Sequence, residues 1–124
     1  MSAPDRRKRA HIWGLRAESV AAIYLMAKGY WILDRRFAVD QGEIDLVARK
    51  GEVISFVEVK ARETFEVAFD AVTRQKVRRI STAANVWRVR NAWANGLILR
   101  GDIVLVAPRR LPRHHEDAYT LRIS

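Results

Sequence analysis

The sequence predicts an α/β domain in which helices cover a mixed antiparallel and parallel β-sheet, with the element order α-β-β-β-α-β-β. Two segments carry apolar residues at helical spacing, and five extended segments lie between and after them. The 124 residues suit one domain with one core, and no repeat or internal linker divides them. We therefore expect a single domain over residues 10–124, preceded by a basic, flexible tail at residues 1–9.

The first helix is expected over residues 10–28. Apolar residues recur at spacings of three and four between Ala17 and Leu25, which is typical of a helix that packs one face on a core. Gly29 follows at the position where a glycine commonly ends a helix. An extended segment at residues 30–37, apolar at its start, then predicts the first strand.

The second half of the chain is expected to contain one helix and two strands. The helix begins at Asp70 or Thr73 and ends at Trp93. Its buried stripe, spaced by three and four, consists of Val77, Ile80, Ala84 and Trp87. Strands are expected at residues 97–106 and 118–123, with a turn-rich basic stretch between them.

The second and third strands, expected at residues 42–49 and 53–60, carry an unusual set of charged side chains. These are Glu43, Asp45, Glu58 and Lys60. In each strand the two charged residues are two positions apart, so they share one face. A plain hairpin would place apolar or neutral residues at these positions, and the set therefore indicates a functional site.

The turn between these strands determines how close the acids come. A two-residue turn at residues 50–51 would set Glu58 opposite Glu43 and Phe56 opposite Asp45. Asp45 and Glu58 would then be diagonal neighbours, about 7–8 Å apart at the backbone. Like charges this close destabilise a hairpin, so such a pair usually holds a cation or shares a proton.

Two nearby carboxylates are ligands that Mg²⁺ and Mn²⁺ prefer, because hard cations take oxygen ligands. The Lys60 ammonium, on the same face as Glu58, could orient an attacking water or neutralise charge on a phosphate. Together with a basic surround, this set favours phosphodiester hydrolysis. The alternative is a solvated surface hairpin with a Glu58–Lys60 salt bridge.

Glu18 is the second candidate for the site. It lies in the most apolar part of the first helix, and a partly buried acid needs a partner. One interpretation is that Glu18 faces the metal site. The alternative is a glutamate at the edge of the core that pairs with Arg16 or Lys28.

The charge balance favours a polyanionic partner. Lysine and arginine outnumber aspartate and glutamate by 23 to 14, for a net charge of +9, and nucleic acid is the commonest partner of so basic a domain. The alternative is a basic protein that merely stays in solution. The absence of cysteine excludes disulfides and thiolate metal sites. No apolar run approaches the roughly 18 residues that span a bilayer, so we expect a cytoplasmic protein without a membrane partner.

Other residues admit both a functional and a structural interpretation. Four tryptophans could stack on bases or pack in the core: Trp13, Trp31, Trp87 and Trp93. The helical spacing of Trp87 favours the core. Further basic residues could contact phosphate or be solvated: Arg6, Arg7, Lys8, Arg9, Arg109, Arg110 and Arg113. The run His-His-Glu-Asp at residues 114–117 is not expected to bind zinc, because neighbours in an extended chain point to opposite faces.

Two short segments carry a resemblance to a known family. Gly-Glu-Ile-Asp-Leu begins at Gly42, and Phe-Val-Glu-Val-Lys begins at Phe56. In this element order, they resemble the PD-(D/E)XK nuclease superfamily and, more closely, the YraN family of bacterial proteins (uncharacterised protein family 0102). The further residues that carry the resemblance are Ala17, Glu18, Lys28, Gly29, Tyr30, Ile32, Leu33, Lys76 and Asp102.

The resemblance implies a restriction-endonuclease-like core similar to that of archaeal Holliday-junction resolvases. It implies that Asp45 and Glu58 bind Mg²⁺ or Mn²⁺, with the Val59 carbonyl oxygen as a further ligand. Lys60 would be the catalytic lysine. Glu18 would match a helical glutamate of resolvase-like members that reaches the metal through water or a second ion.

The predicted function is Mg²⁺-dependent hydrolysis of phosphodiester bonds in DNA, with branched DNA as one substrate. Contacts to nucleic acid are expected from Arg62, Arg74, Lys76 and Arg78. A homodimer is expected if the substrate is a two-fold symmetric junction. The alternative is a nucleic-acid-binding module of the same fold that performs little or no hydrolysis.

Overall fold

A five-stranded mixed sheet with a helix on each face forms the computed structural model of the chain. The structure describes residues 3–63, 65 and 72–124. Its elements are α1 (Ala3–Ala27), β1 (Trp31–Val39), β2 (Gly42–Lys50), β3 (Val53–Ala61), α2 (Arg74–Arg90), β4 (Ile98–Val106) and β5 (Arg113–Tyr119). The predicted α/β class and the order α-β-β-β-α-β-β are confirmed.

The strands lie side by side in chain order, from β1 to β5. β1, β2 and β3 pair antiparallel, and so do β4 and β5. β3 and β4 run parallel, with α2 in the connection between them. The sheet is therefore mixed, as predicted, because a parallel pair needs a long crossover whereas antiparallel neighbours need only a short turn.

Helix α1 begins at Ala3, inside the segment that was predicted to be a tail. The side chains of residues 1–12 and 15 lie outside the described residues, so the phosphate contacts expected of residues 6–9 stay a prediction. The helix ends at Ala27, and Gly29 follows with a φ of 97°, the left-handed conformation that glycine adopts without steric cost.

Helix α2 begins at Arg74, and Thr73 is its N-cap. The Thr73 hydroxyl accepts a hydrogen bond from the backbone N–H of Lys76 at 3.1 Å, which satisfies one of the free donors of the first turn. The other predicted start, Asp70, lies outside the described residues. The helix ends at Arg90, and Trp93 belongs to a separate 3₁₀ turn, so the predicted end was three residues too late.

Two buried clusters fill the two faces of the sheet. The α1-face cluster consists of Ala17, Ala21, Ala22, Leu25, Tyr30, Leu46, Ala48, Val57, Val104 and Val106. The α2-face cluster consists of Ile44, Val47, Ile54, Phe56, Ile80, Ala83, Ala84, Trp87, Ala94 and Tyr119. Trp87 and Phe56 are fully buried and meet edge to face, with ring centroids 5.6 Å apart. Among the described residues, no helix is long and apolar enough to cross a membrane.

The turn between β2 and β3 differs from the prediction. Lys50 pairs with Val53, so the turn residues are Gly51 and Glu52 rather than residues 50–51. Gly51 has a φ of 60° at the first turn position, which suits a type II′ hairpin turn. The predicted pairing was therefore wrong by two residues, and the last β2–β3 pair toward the acids is Leu46 with Val57.

The position of β5 was also predicted wrongly. The strand runs from Arg113 to Tyr119, not over residues 118–123. His114 pairs with Val104 and His115 with Ile103, although this stretch of the chain is polar. Its inward side chains form buried polar contacts instead of apolar ones, so the hydrophobic pattern gave no signal for a strand.

Candidate active site

A cleft of about 600 Å³ opens between α1 and α2 at the end of the sheet where β2 and β3 part. It is lined by Trp13, Gly14, Ala17, Glu18, Arg36, Glu43, Ile44, Asp45, Glu58, Val59, Lys60, Ala61, Arg62 and Lys76. All of the predicted site residues except Arg74 and Arg78 are in this lining. Those two arginines lie exposed on α2.

The parting of β2 from β3 positions Asp45. Regular pairing ends at Leu46 and Val57, and the Asp45 carboxylate then accepts a hydrogen bond from the Val59 backbone N–H at 2.8 Å. The side chain thus replaces a bond of the strand ladder. Ile44 packs in the α2-face cluster whereas Leu46 packs in the α1-face cluster, so β2 twists at Asp45 instead of alternating regularly.

Glu58 is buried, with 3% of its surface exposed, and two ammonium groups compensate its charge. Its Oε1 atom lies 3.1 Å from Lys76 Nζ and 3.4 Å from Lys60 Nζ. Lys60 comes from the same strand, and Lys76 comes from the first turn of α2, whose start the Thr73 cap fixes. The predicted Glu58–Lys60 contact is therefore present, but inside the cleft rather than on a solvated surface.

Asp45 is much less well compensated than Glu58. Burial raises the pKa of Asp45 to about 7, and the nearby negative charge of Glu58 adds to this rise, whereas the Val59 N–H opposes it. Burial lowers the pKa of Lys76, but the attraction of Glu58 outweighs burial and the pKa is raised overall. The cleft therefore holds a carboxylate that is only partly ionised at neutral pH beside a firmly charged lysine.

Glu18 has a partner that the sequence did not indicate. Its Oε2 atom accepts a hydrogen bond from Arg36 Nε at 2.6 Å, so the expected partners Arg16 and Lys28 are replaced by a residue of β1. Arg36 has a φ of 51°, a conformation that is uncommon for a side chain other than glycine and that turns up at functional sites. Nothing in the local spacing could have revealed a pair 18 positions apart.

The remaining predicted contacts lie at the edge of the cleft. Arg62 donates to the Ala61 carbonyl at 2.7 Å and is exposed. Glu43 lines the cleft and is exposed. Within the described part of the chain, no three histidine, aspartate or glutamate side chains are close enough to form a metal-binding group. Glu18 lines the same cleft as Asp45 and Glu58, and its charge adds a smaller rise to the pKa of Asp45 than that of Glu58.

A second buried acid, Asp102, lies on the α1 face of the sheet and has a full set of partners. It accepts hydrogen bonds from Ser55 Oγ at 2.6 Å, from His114 Nε2 at 2.7 Å and from two nitrogens of Arg100 at 2.8 Å each. The backbone N–H of Asp117 adds another at 3.0 Å. Burial alone would raise the pKa of Asp102, but these donors outweigh it and hold the pKa well below its usual value.

The polar network around Asp102 extends to the end of α1. Lys28 Nζ donates to His114 Nδ1 at 2.7 Å, and Arg100 donates to the Tyr30 hydroxyl at 2.8 Å. His114 thus links two charged groups of opposite sign. In the sequence, only the family resemblance indicates Asp102, and the polar residues of β5 give no sign that the His114 side chain is buried.

The chain is similar to proteins of one family along nearly its whole length. A family model described as Uncharacterised protein family UPF0102 matches residues 17–106. A UPF0102 protein of Methylobacterium nodulans is 50% identical over 122 residues, which cover 98% of this chain and 95% of the relative. One of Methylorubrum extorquens is 50% identical over 94% of this chain and 91% of the relative. One of Nitrobacter winogradskyi is 52% identical over 86% and 90%.

Proposed function

The chain belongs to the uncharacterised protein family UPF0102, and we propose that it is a nuclease that hydrolyses phosphodiester bonds in DNA with the help of a divalent metal ion. One observation carries the proposal. Two acids, Asp45 and Glu58, meet in a cleft that also holds two lysines, and burial beside Glu58 raises the pKa of Asp45 to about 7. A perturbed acid in a cleft is typical of functional sites.

The donor set fits Mg²⁺ or Mn²⁺. Burial and, to a lesser extent, the charge of Glu58 raise the Asp45 pKa, and a bound cation would favour the ionised form of Asp45 against both. Carboxylate and carbonyl oxygens are the ligands that hard cations take. Asp45, Glu58 and the Val59 carbonyl would hold the ion. Its chemistry there would be to stabilise charge on a phosphate oxygen and to lower the pKa of a bound water.

The lysines of the cleft would act on the phosphate and on the attacking water. Lys60, with 12% of its side chain exposed, is held beside Glu58, so its ammonium has a defined position and little competing water. From there it would donate hydrogen bonds to the attacking water or to a phosphate oxygen as negative charge develops. Lys76 is the more exposed of the two, at 36%, and would contact a phosphate at the entrance.

Basic residues around the cleft would hold the nucleic acid. Arg62 and Arg36 line the opening, and Arg74 and Arg78 project from the first two turns of α2. Each contact to a phosphate releases condensed counterions, so binding should weaken steeply as salt rises. Branched DNA is the substrate class that the family resemblance suggests, and a two-fold symmetric junction would call for a homodimer.

A second candidate function is nucleic-acid binding without hydrolysis. The observation that favours it is that Lys60 and Lys76 both pair with Glu58, so two of the chain's own cations already neutralise this acid. A metal ion would have to displace at least part of this arrangement. A binding module could use the same lysines for phosphate contacts and never hold a metal.

Cleavage assays with matched variants separate the two functions. The purified protein is incubated with fluorescent linear, flapped and four-way DNA, with Mg²⁺, with Mn²⁺ or with EDTA. We expect metal-dependent cleavage, and about a 100-fold or greater loss of rate in Asp45→Asn and Glu58→Gln, because both remove a ligand charge but keep the side-chain shape. Glu116→Gln, an exposed acid outside the cleft lining, is the control and should cleave normally.

Two outcomes of the cleavage assay would contradict the proposed hydrolysis at the cleft. If neither metal supports cleavage of any of the three DNA forms while the protein still binds them, the binding module is the correct function. If Asp45→Asn and Glu58→Gln cleave as fast as the unaltered protein, the activity belongs to another site or to a contaminant.

A further inference from the structure

The four tryptophans of the chain fall into two groups. Trp87 is fully buried, and Trp13 is partly buried against the α1-face cluster. Trp31 is 75% exposed and Trp93 is 52% exposed. The structure thus assigns Trp87 and Trp13 to packing, and it leaves two large aromatic side chains at the surface without a role in the core.

The two exposed tryptophans lie at the end of the molecule away from the cleft. Trp31 pairs with Arg49 at the start of β1, four residues or about 13 Å along β2 from Asp45. Trp93 follows the C-terminal end of α2, whereas Lys76 lies in the first turn of that helix. The length of α2, 17 residues or about 25 Å, therefore separates this surface from the acids.

Arg49 connects the two rings. It is the cross-strand partner of Trp31, so their side chains are neighbours on one face of the sheet. Its guanidinium carbon lies 5.3 Å from the centroid of the Trp93 ring, and its Nε donates to the Gly51 carbonyl at 3.0 Å. We call Trp31, Arg49 and Trp93 the distal aromatic surface.

One ring of the distal aromatic surface, that of Trp93, is oriented before any partner arrives. The Trp93 ring packs edge to face on buried Trp87, with centroids 6.0 Å apart, and its Nε1 donates to Asn91 Oδ1 at 3.2 Å. The Trp87 indole is itself anchored, since its Nε1 donates to Asp34 at 2.8 Å. A ring that is already oriented, as that of Trp93 is, loses little side-chain entropy on binding.

The charge of the distal aromatic surface indicates what it binds. In the part of the chain that the structure describes, Arg49 forms no ion pair with an acidic side chain, and neither does Arg90 in the last turn of α2. The partner should therefore supply negative charge together with flat apolar faces. Unpaired nucleotides supply both, because every base has a face that stacks on an aromatic ring and every linkage carries a phosphate.

We propose that the distal aromatic surface is a binding site for single-stranded nucleic acid, in which Trp31 and Trp93 stack on bases and Arg49 contacts a phosphate. This site is separate from the acidic cleft and requires no hydrolysis. If the cleft cuts DNA, a second site at this distance would favour substrates in which a duplex adjoins an unpaired strand.

The test measures binding of a fluorescein-labelled oligothymidylate of about 20 nucleotides by anisotropy, in EDTA so that no cleavage occurs. Trp31→Ala and Trp93→Ala should each weaken binding by about 5- to 30-fold, since each removes one stacking ring. Trp31→Phe should restore most of the affinity. The control is Ile23→Ala, which removes a 62% exposed apolar side chain from α1 and should bind like the unaltered protein.

An oligonucleotide of the same length without bases separates stacking from charge. The protein should bind this oligonucleotide more weakly than the oligothymidylate, and Trp31→Ala should not lower the affinity for it further. The proposal is overturned if Trp31→Ala loses the same affinity for the oligothymidylate and for the oligonucleotide without bases, or if it loses affinity for neither. It is also overturned if Trp31→Ala leaves oligothymidylate binding unchanged but lowers the molar mass in light scattering, because the surface then joins protein chains.

A variant of the cleft keeps this proposal independent of the nuclease. In an Asp45→Asn background, in which the cleft is expected not to cleave, adding Trp31→Ala should weaken oligothymidylate binding by the same factor of about 5- to 30-fold. A protein that fails every cleavage assay but shows the losses at Trp31 and Trp93 still has the distal site. A protein that cleaves duplex DNA but shows no such losses has the cleft alone.

Discussion

Two acids of one sheet, Asp102 and Asp45, have opposite electrostatic surroundings. Asp102 lies on the α1 face, where Ser55, Arg100, His114 and a backbone N–H all donate to it, and its pKa is lowered. Asp45 lies in the cleft beside the acid Glu58, with one backbone donor, and burial raises its pKa to about 7. Asp102 is fully buried and Asp45 is half-buried, but only Asp102 has enough donors to offset the loss of water.

The different numbers of hydrogen-bond donors around Asp102 and Asp45 indicate different roles for the two acids. A carboxylate with a complete set of donors stabilises the fold in its ionised form. A carboxylate that is shielded from water and lies beside another acid weakens the fold at neutral pH, and such an arrangement is found where a site must take up a cation or a proton. Asp102 is therefore assigned to stability, whereas Asp45 is retained at a cost to stability.

The largest effect is expected from removing the charge of Asp102. Asp102→Asn should lower the free energy of unfolding by about 3–5 kcal/mol, because it leaves Arg100, only 17% exposed, without its ionised partner. Urea denaturation near neutral pH measures this. Since the folded pKa is lowered, the contribution of Asp102 is present above its unfolded pKa of 3.8 and is lost as the pH falls below that value.

Glu116→Gln is the matched control for this variant. Glu116 also faces Arg100, at 3.7 Å, but 54% of its side chain is exposed, so the pair is screened by water. Its loss should change the free energy of unfolding by about 0.5 kcal/mol or less. Equal effects of Asp102→Asn and Glu116→Gln would contradict the assignment of Asp102 to stability.

Asp45→Asn should have the opposite sign. The folded pKa of about 7 lies above the unfolded value of 3.8, so the folded protein binds an extra proton between these values and stability falls as the pH rises through them. The amide removes the charge and keeps an acceptor for the Val59 N–H. We expect Asp45→Asn to raise the free energy of unfolding by about 1–3 kcal/mol at about pH 8 and to change it little below about pH 4.

The measurement compares urea midpoints of Asp45→Asn and the unaltered protein at both pH values, in EDTA. If Asp45→Asn is more stable than the unaltered protein at high pH but not at low pH, the ionised Asp45 is poorly compensated in the folded protein, as proposed. A loss of stability at high pH would show that the cleft stabilises the ionised Asp45 and that the contrast with Asp102 does not exist.

The sequence predicted the acid pair of the cleft despite an error in the strand register. Moving the turn from residues 50–51 to residues 51–52 shifts the pairing by two residues, and an even shift keeps every side chain on its face. The predicted register therefore still brought Asp45 and Glu58 together, and both line the cleft even though β2 twists at Asp45. The helices and the first four strands were predictable from the sequence, because their apolar periodicity does not depend on distant partners.

What sequence reasoning missed depends on contacts between distant residues. Arg36 is 18 positions from Glu18 and belongs to another element, so no spacing rule connects them. On β5, His114 is buried by its hydrogen bond to Asp102 rather than by apolar packing. Because the strand therefore lacks an apolar pattern, the sequence predicted it at residues 118–123 instead of Arg113–Tyr119. The sequence indicated Asp45 as a candidate site residue, but the raised pKa of Asp45 depends on a cleft that only the folded chain forms.

Metal binding should produce a modest change in stability, and this change separates the two acids directly. If Mn²⁺ binds the cleft with a dissociation constant of about 0.5 mM, about 5 mM Mn²⁺ raises the free energy of unfolding by about 1.4 kcal/mol through mass action. Asp45→Asn should abolish this gain. His114→Gln, which alters the Asp102 network, should lower stability yet keep the gain, because the network lies outside the cleft lining. Thermal unfolding with and without Mn²⁺ measures all three proteins. A gain that survives in Asp45→Asn but vanishes in His114→Gln would place the ion at Asp102 and reverse the roles of the two clusters.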